Sequence, residues 1–581
     1  MVELQGIPVS PGVAIGPALV LRDGGVSVEP RLMDPDDAAD QLTALRASVA
    51  EVAEELSRAR EQTAALAGEE TGDIFAAQLQ MLRDPRLDGE LVRRITRHRQ
   101  SAAFAVDRVL GNYAAALRKL DSPLLAERSQ DVLDIRRQLL TKLGAMDGDP
   151  LSDIDRESVV LAANLTPSET ANLDRRFVRG FATEAGGPGG HTAIVAKGLE
   201  LPAVVGIGPF LEEVAGGVTT IVDGDRGRFI IDPDAEQLAY YRGRIERRRS
   251  LAERLTEIRE LPAETADGVR INLNANIEFP HEAEHGLQRG ADGVGLYRTE
   301  FLYLTGDDEP TEEDHYEAYT EVARAMNGRP VVVRTLDLGA DKVGPRSSGV
   351  AEANPFLGLR SIRLSLKHLD VFRPQLRAIM RAAVHGDLRV MFPLITTPGE
   401  YRQARMMWNV VAEDLAAAGV PHRSDIPVGM MVEVPAAVMM LEAFIGEVDF
   451  LSIGTNDLAQ YTLAVDRSNP AVADLYQSAD PAVLRLISRC IEVSGEANVP
   501  LGVCGEIASN PSRALLLVGM GIRSLSVPPV QLPRVKKAIR SVSACQCRQI
   551  AQRAMQLDGA RDVDMYLRDR LETFVPELVV S

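Results

Sequence analysis

Val428-Gly429-Met430-Met431-Val432-Glu433 and, further on, Phe450-Leu451-Ser452-Ile453-Gly454-Thr455-Asn456-Asp457 are two short apolar runs that each lead into a polar, carboxylate-bearing end. Such runs read as buried strands, and the stretch between them reads as helical. The same unit recurs outward in both directions. Strands are expected at Val269–Asn274, Gly293–Tyr297, Val331–Arg334, Leu388–Phe392, Val428–Val432, Phe450–Ile453, Leu501–Cys504 and Ser524–Val527. Eight strands alternating with helices over about 280 residues fit a closed (β/α)8 barrel of TIM type.

The remainder of the chain has a different texture. Residues 1–22 hold two strand-like runs, around Gly6–Val9 and Ala18–Leu21, too little to fold alone and so expected to pair with strands elsewhere. Asp34-Pro35 reads as a helix start, a capping residue followed by Pro at the first helical position. Leu42, Leu45, Val49, Val52 and Leu56 then follow at steps of three and four, an apolar seam on one helix face, and similar stretches run on through Leu79, Leu110 and Leu139. A helical bundle is therefore expected. Short strands return at Ser158–Ala162, Arg179–Thr183, Thr219–Gly224 and Phe229–Pro233, with a helix after His191. The expected organisation is a multidomain α/β chain. Residues 1–22 and 145–235 form one β/α domain, 23–144 an inserted helical domain, 236–261 a charged linker helix and 262–581 the barrel.

Composition narrows the function. The 581 residues carry 64 Lys and Arg against 83 Asp and Glu, a net charge of −19, which argues against nucleic acid as the main partner. The start, Met1-Val2-Glu3-Leu4-Gln5, has neither a basic nor an apolar leader region, and there is no apolar run of spanning length, so no signal peptide or membrane insertion is expected. Cys490, Cys504, Cys545 and Cys547 are too few for a disulfide framework, and the Cys545–Cys547 pair lacks a second pair to make a zinc site. A reducing cytoplasm fits best.

In a (β/α)8 barrel the ligand sits at the C-terminal ends of the strands. Here those ends read Asn274 and Asn276, Arg298-Thr299-Glu300, Arg334-Thr335-Leu336-Asp337, Phe392-Pro393, Glu433, Gly454-Thr455-Asn456-Asp457 and Cys504-Gly505-Glu506. Arg298, Arg334 and the nearby Arg467 can clamp phosphate and carboxylate oxygens. Glu433 and Asp457 end neighbouring strands and suit Mg²⁺, which is commonly held by one or two carboxylates with water and substrate phosphate completing its shell. Cys504 at such a mouth can act as a general acid toward an enolate carbon.

Gly186-Gly187-Pro188-Gly189-Gly190-His191-Thr192 forms a second focus. Its glycines leave amide N–H groups free to form an anion nest, and the helix N-terminus that follows favours a phosphate on or beside His191. A neutral imidazole there is a fit nucleophile toward phosphorus.

The glycine loop with Leu199-Glu200-Leu201-Pro202-Ala203-Val204-Val205-Gly206 resembles the phosphohistidine domain of the Enzyme I family of the phosphoenolpyruvate:sugar phosphotransferase system. Gly293–Leu302, Asn354-Pro355-Phe356-Leu357-Gly358 and Phe450–Leu458 resemble that family's barrel signatures. The resemblance runs from Gly6-Ile7-Pro8-Val9-Ser10-Pro11-Gly12 to about residue 540. It implies that His191 is phosphorylated by phosphoenolpyruvate and passes the group to the carrier protein HPr, docked on the helical domain. Arg298, Arg334, Asn456, Asp457 and Arg467 would bind phosphoenolpyruvate, Glu433 and Asp457 would hold Mg²⁺, and Cys504 would protonate the enolate to pyruvate. A homodimer through the barrel is also implied. Gly190, Ala193, Ala340, Val434 and Asn164 depart from the family's usual residues without removing a nucleophile, ligand or clamp. ATP-using relatives need a further nucleotide-binding domain, for which the chain has no room; a non-catalytic scaffold that binds phosphoenolpyruvate or HPr is the remaining alternative.

Overall fold

The structure is a computed structural model. It describes residues 2–21, 37–67, 69–118, 123–145, 156–165, 173, 176–187, 192–193, 196, 201–304, 309–339, 354–469 and 471–579. The chain divides into two compact units, Met1–Glu246 and Arg247–Ser581.

In the first unit, β1 (Val2–Gln5), β2 (Ile7–Ser10) and β3 (Val13–Leu21) join β4 (Ser158–Ala162), β5 (Val178–Thr183), β6 (Ala203–Val205), β7 (Thr219–Asp223) and β8 (Arg228–Ile231) in one sheet of order β1-β8-β7-β3-β4-β5-β6-β2. The early strands thus pair with later ones, as their isolation in sequence requires. Along β4 and β5, Val160, Ala162 and Phe181 face one apolar cluster, and Val159, Leu161 and Ala182 face another. Both faces are covered, so β4 reads as a continuous apolar run rather than an alternating one. β6 went uncounted among the expected strands because three residues carry too little pattern.

Between β3 and β4 lie five helices among the described residues: α1 (Ala38–Ala67), α2 (Glu69–Leu82), α3 (Pro85–His98), α4 (Ala102–Arg118) and α5 (Pro123–Lys142). The expected start at Asp34-Pro35 lies outside the described residues. On α3 the logic is local. Asp84 accepts the Arg86 N–H at 2.8 Å, Pro85 opens the helix, and Leu87, Leu91 and Ile95 bury at successive turns. Leu45, Val52, Leu56, Leu79, Leu110 and Leu139 join them in one core separate from the sheet's. α6 (Ala235–Glu257) follows β8. Its Arg244 is buried and donates to Asp223 at 2.5 Å and Asp225 at 2.9 Å, which fastens the helix's first half to the end of β7.

The second unit is a closed parallel barrel of β9 (Asn272–Ile277), β10 (Val294–Tyr297), β11 (Val331–Arg334), β12 (Leu388–Phe392), β13 (Val428–Val432), β14 (Leu451–Ile453), β15 (Leu501–Val503) and β16 (Ser524–Val527), with β16 pairing back to β9. Seven strands fall within a residue of their expected bounds; the first does not. Val269 and Ile271 look like its apolar start, but Glu264 bridges Arg270 and the Ile271 N–H donates to Ala263, so this segment is a lead-in. β9 itself alternates. Leu273, Ala275 and Ile277 pack outward into the core, while Asn274 and Asn276 bond to Ser524 and to the Cys504 carbonyl across the interior. Asn274 therefore does not sit at the strand's C-terminal end, which is Ile277. Helix 544–554 adds to the core through Cys547, whose carbonyl would lie 1.9 Å from any Cβ at Gly519. Cys545 on the same helix is exposed.

Candidate active site

The C-terminal strand ends converge on a buried network of charges. Arg334 closes β11 and donates to Glu300 and Asp337, each at 2.9 Å. Asp337 in turn accepts from Arg360 at 2.9 Å, and the same Arg360 nitrogen reaches Asp457 at 3.1 Å. Burial pulls the pKa of Arg334 down, but Glu300, Asp337 and Glu433 more than offset this, and the net shift is upward; Arg360 behaves alike through Asp337 and Asp457. Both guanidiniums therefore stay charged in a low-dielectric setting. Arg334 also keeps one buried donor, Nε, without a partner, a state that calls for an acceptor from a ligand.

Glu433 follows β13 and is 2% exposed; its carboxylate accepts the Leu394 N–H at 2.6 Å. Asp457 lies in the first turn of helix 455–463 and is 5% exposed. Burial and then repulsion from Asp337 and Asp457 raise the Glu433 pKa well above the carboxylate range; burial and Asp337 raise that of Asp457. Asp337 is the exception, since Arg334 and Arg360 outweigh its own burial and lower it. Two carboxylates pushed toward neutrality beside a third that stays ionised form a site short of positive charge. A hard divalent cation with oxygen ligands supplies it, so the donor set fits Mg²⁺ held by Glu433 and Asp457. Among the described residues no group of three or more His, Cys, Asp or Glu converges on a metal position.

Cys504 follows β15, is 2% exposed and stands over Leu296, Met391 and Met431 inside the barrel. Its thiol donates toward the Ile453 carbonyl at 3.6 Å. Burial pushes the thiol's pKa up, with Ser452 opposing, so the group stays protonated at neutral pH, as a proton donor must be. Gly505 beside it has no room for a side chain, because Thr455 Oγ1 would lie 1.9 Å from a Cβ there.

The other expected residues lie around this centre. Arg298 pairs with Glu278 and is partly exposed. Arg467 is exposed and acts on Asp457 through its charge. Asn456 is half-buried and accepts the Glu506 N–H at 2.9 Å. Thus Arg334, Glu433, Asp457 and Cys504 are buried together, whereas Arg298 and Arg467 are the accessible cations. Glu300, Asp337 and Arg360 were not assigned roles from sequence. Glu300 and Asp337 stand within the quoted strand ends, and Arg360 lies two residues past the Asn354–Gly358 motif, so position alone pointed to them.

His191, Gly190 and Ala340 lie outside the described residues. Near the histidine, Thr192 donates to the Leu165 carbonyl at 2.7 Å, and Ala193 and Ala196 are helical and buried. Gly186, at the start of the glycine loop, has a φ of +123°, a conformation that favours glycine.

Comparison with known proteins places these features in a family. Residues 252–544 match the PEP-binding domain of PEP-utilising enzymes, 5–128 their N-terminal region and 154–227 their mobile domain. A phosphoenolpyruvate-protein phosphotransferase of Geobacillus stearothermophilus is 40% identical over 565 residues, 97% of each chain. Another, of Bacillus subtilis (strain 168), is 37% identical over 98% of this chain and 100% of its own. A solution structure of Enzyme I (nEIt) covers 42% of this chain and 98% of its own at 33% identity, with a TM-score of 0.35.

Proposed function

Since the chain belongs to the PEP-utilising enzymes and, among them, to the phosphoenolpyruvate-protein phosphotransferases, which move a phosphoryl group from phosphoenolpyruvate to protein, we propose that its own acceptor is His191 and the next acceptor is HPr. Phosphoenolpyruvate binds at the strand ends. Arg298, Arg334, Arg467 and Asn456 hold its phosphate and carboxylate, and Glu433 and Asp457 hold Mg²⁺. When bound, the ion neutralises charge on the transferring phosphoryl group. The imidazole of His191 attacks phosphorus in line and the bond to the enolate oxygen breaks. Cys504 gives its thiol proton to the enolate carbon, and pyruvate leaves.

The phosphoryl group then passes to HPr on the helical domain, residues 23–144. For this, residues 1–22 and 145–235 act as the carrier of His191, 236–261 as its connection to the barrel of 262–581, and the barrel as the site of homodimerisation. No described helix is long and apolar enough to cross a membrane, and the reading places the enzyme in the cytoplasm.

The observation that carries this reading is the pair Glu433 and Asp457, both raised in pKa, beside the Arg334–Asp337–Arg360 network and the protonated Cys504 thiol. Incubation with ³²P-phosphoenolpyruvate and Mg²⁺ is expected to label the wild type and pass the label to HPr. Undiminished label on a His191→Ala protein would overturn the assignment of the acceptor.

A further inference from the structure

Strands β10 and β11 are paired as far as Tyr297 and Val333 and then part. Beyond that point the Arg298 N–H donates to the Ile277 carbonyl on β9, and the Thr335 N–H to the Met391 carbonyl on β12. These backbone bonds tie each strand end to its outer neighbour, just where the two ends supply Arg298, Glu300, Arg334 and Asp337. Side chains close the gap between them. Arg334 and the Asp337 N–H both donate to Glu300, and Thr299 donates to the Arg334 carbonyl at 3.1 Å.

A further bridge comes from the helix layer. Helix 369–382 packs on the barrel through Phe372, Leu376 and Ile379, and on the same face stands a buried glutamine, Gln375. A primary amide in such a face costs stability unless its groups are bonded. Here they are. The oxygen accepts the Leu336 N–H at 3.0 Å, and the nitrogen donates to Thr299 Oγ1 and to Tyr319 OH, each at 3.1 Å. The amide cannot be turned over, because its nitrogen would then meet the Leu336 N–H, another donor. One side chain thus holds the residue before Glu300 and the residue before Asp337. Thr299, Leu336 and Tyr319 are themselves buried, and a buried network with its bonds made is stiff.

We propose that Gln375 is a positioning residue for phosphoryl transfer, which sets the spacing of the β10 and β11 ends and so aims the Arg334 guanidinium. The proposal rests on the reading that Arg334 holds phosphoenolpyruvate. The path to the substrate is short. Gln375 orients the Thr299 hydroxyl and Thr299 holds the Arg334 carbonyl. Arg334 then presents a buried Nε that has no partner among the described residues. Gln375 itself touches no substrate and acts through these two residues. In-line transfer demands closer alignment than binding does, so lost positioning lowers kcat more than it raises KM.

The test reads kcat and KM for pyruvate formation, per folded protein and with excess HPr as acceptor, beside the melting temperature. Thr299→Val keeps the volume and removes the hydroxyl. It is expected to lower kcat by about 10–100-fold with KM held within about threefold. Thr299→Ser, which keeps the hydroxyl, is expected to retain the wild-type kcat. Gln375→Met is expected to lose as much as Thr299→Val, and the double variant no more than either alone, since both cut one path. Tyr319→Phe removes the Gln375 bond that leads away from the strand ends, toward His315, and is expected to keep the wild-type kcat even where its melting temperature falls. A wild-type kcat in Thr299→Val, losses that multiply in the double variant, or an equal loss in Tyr319→Phe would overturn the positioning role. Arg334→Ala separates the two ideas. If it forms pyruvate at the wild-type rate, the clamp itself fails; if it is inactive while Thr299→Val is unimpaired, only the positioning role fails.

Discussion

Arg360 donates to Asp337 and Asp457 through one nitrogen and lies over the Phe356 ring, 5.5 Å from its centroid. Removing it leaves Asp337, Asp457 and Glu433 buried with Arg334 as the nearest counter-charge. Arg360→Ala is expected to lower kcat/KM by about 10²–10³, the loss typical of a preorganised charge at a transferring group. Steady-state kinetics beside circular dichroism check that activity falls while the fold persists. Glu433 carries a second expectation. Burial and its acidic neighbours push its pKa up, and metal binding needs the carboxylate. Mg²⁺ binding is therefore expected to compete with protons and to tighten as pH rises. Titration calorimetry in two buffers of different ionisation enthalpy reads the proton release, which Glu433→Gln should reduce, with Asp457, also raised in pKa, supplying the remainder. The sequence makes Glu433, Asp457 and Cys504 legible because they stand at or just past strand ends, where the barrel rule looks. Arg360 escapes that rule. It enters from a loop and the start of a short helix, and only the folded chain brings it to Asp457, 97 positions away.

At the level of elements, β9 shows where pattern reading fails and why. A search for apolar runs selects Val269–Asn274, yet the strand is Asn272–Ile277, because its inward face is asparagine and only its outward face is apolar. β13, whose inward residues are Gly429 and Met431 and whose outward ones are all apolar, lies where its apolar run predicts, to the residue. Helix 312–325 offers a test of a different kind. Its His315 is fully buried, and its ring nitrogens meet Tyr319 OH at 2.9 Å and Tyr303 OH at 3.2 Å. Burial lowers its pKa from 6.5 to about 4. Between those values the unfolded chain binds a proton that the folded one refuses, so the contribution is intact above pH 6.5 and is lost as pH falls toward 4. Between pH 7 and pH 5 the cost is about 2 kcal/mol. Urea unfolding at the two pH values measures it, and His315→Gln, which does not titrate, should lose about that much less.

For the whole molecule, the core of the barrel unit is distinct from the cores of the helices and the sheet, in keeping with texture changes already visible along the sequence near residues 34, 150 and 262. What the sequence hid was which strands would share a sheet, since pairings such as β1 with β8 join residues with no local pattern in common. Separate cores imply separate melting. Calorimetry is expected to resolve at least two transitions. Phosphoenolpyruvate analogues with Mg²⁺ should raise only the one belonging to the barrel, by about 2.7 kcal/mol at a hundredfold excess over Kd. A single transition, or a shift shared by both, would count against independent units. The sheet of the first unit has one more consequence, which belongs to synthesis on the ribosome. β3 must wait for β4 and β2 for β6, and the last pairing, β1 with β8, waits for a strand about 210 residues behind Leu21; at roughly 5–20 residues per second that longest wait is about 10–40 s. Meanwhile α1 to α5 emerge with a complete core of their own. The insert can therefore be folded before its parent exists, and the unpaired edges of β1 to β3 are left exposed to chaperones for the interval.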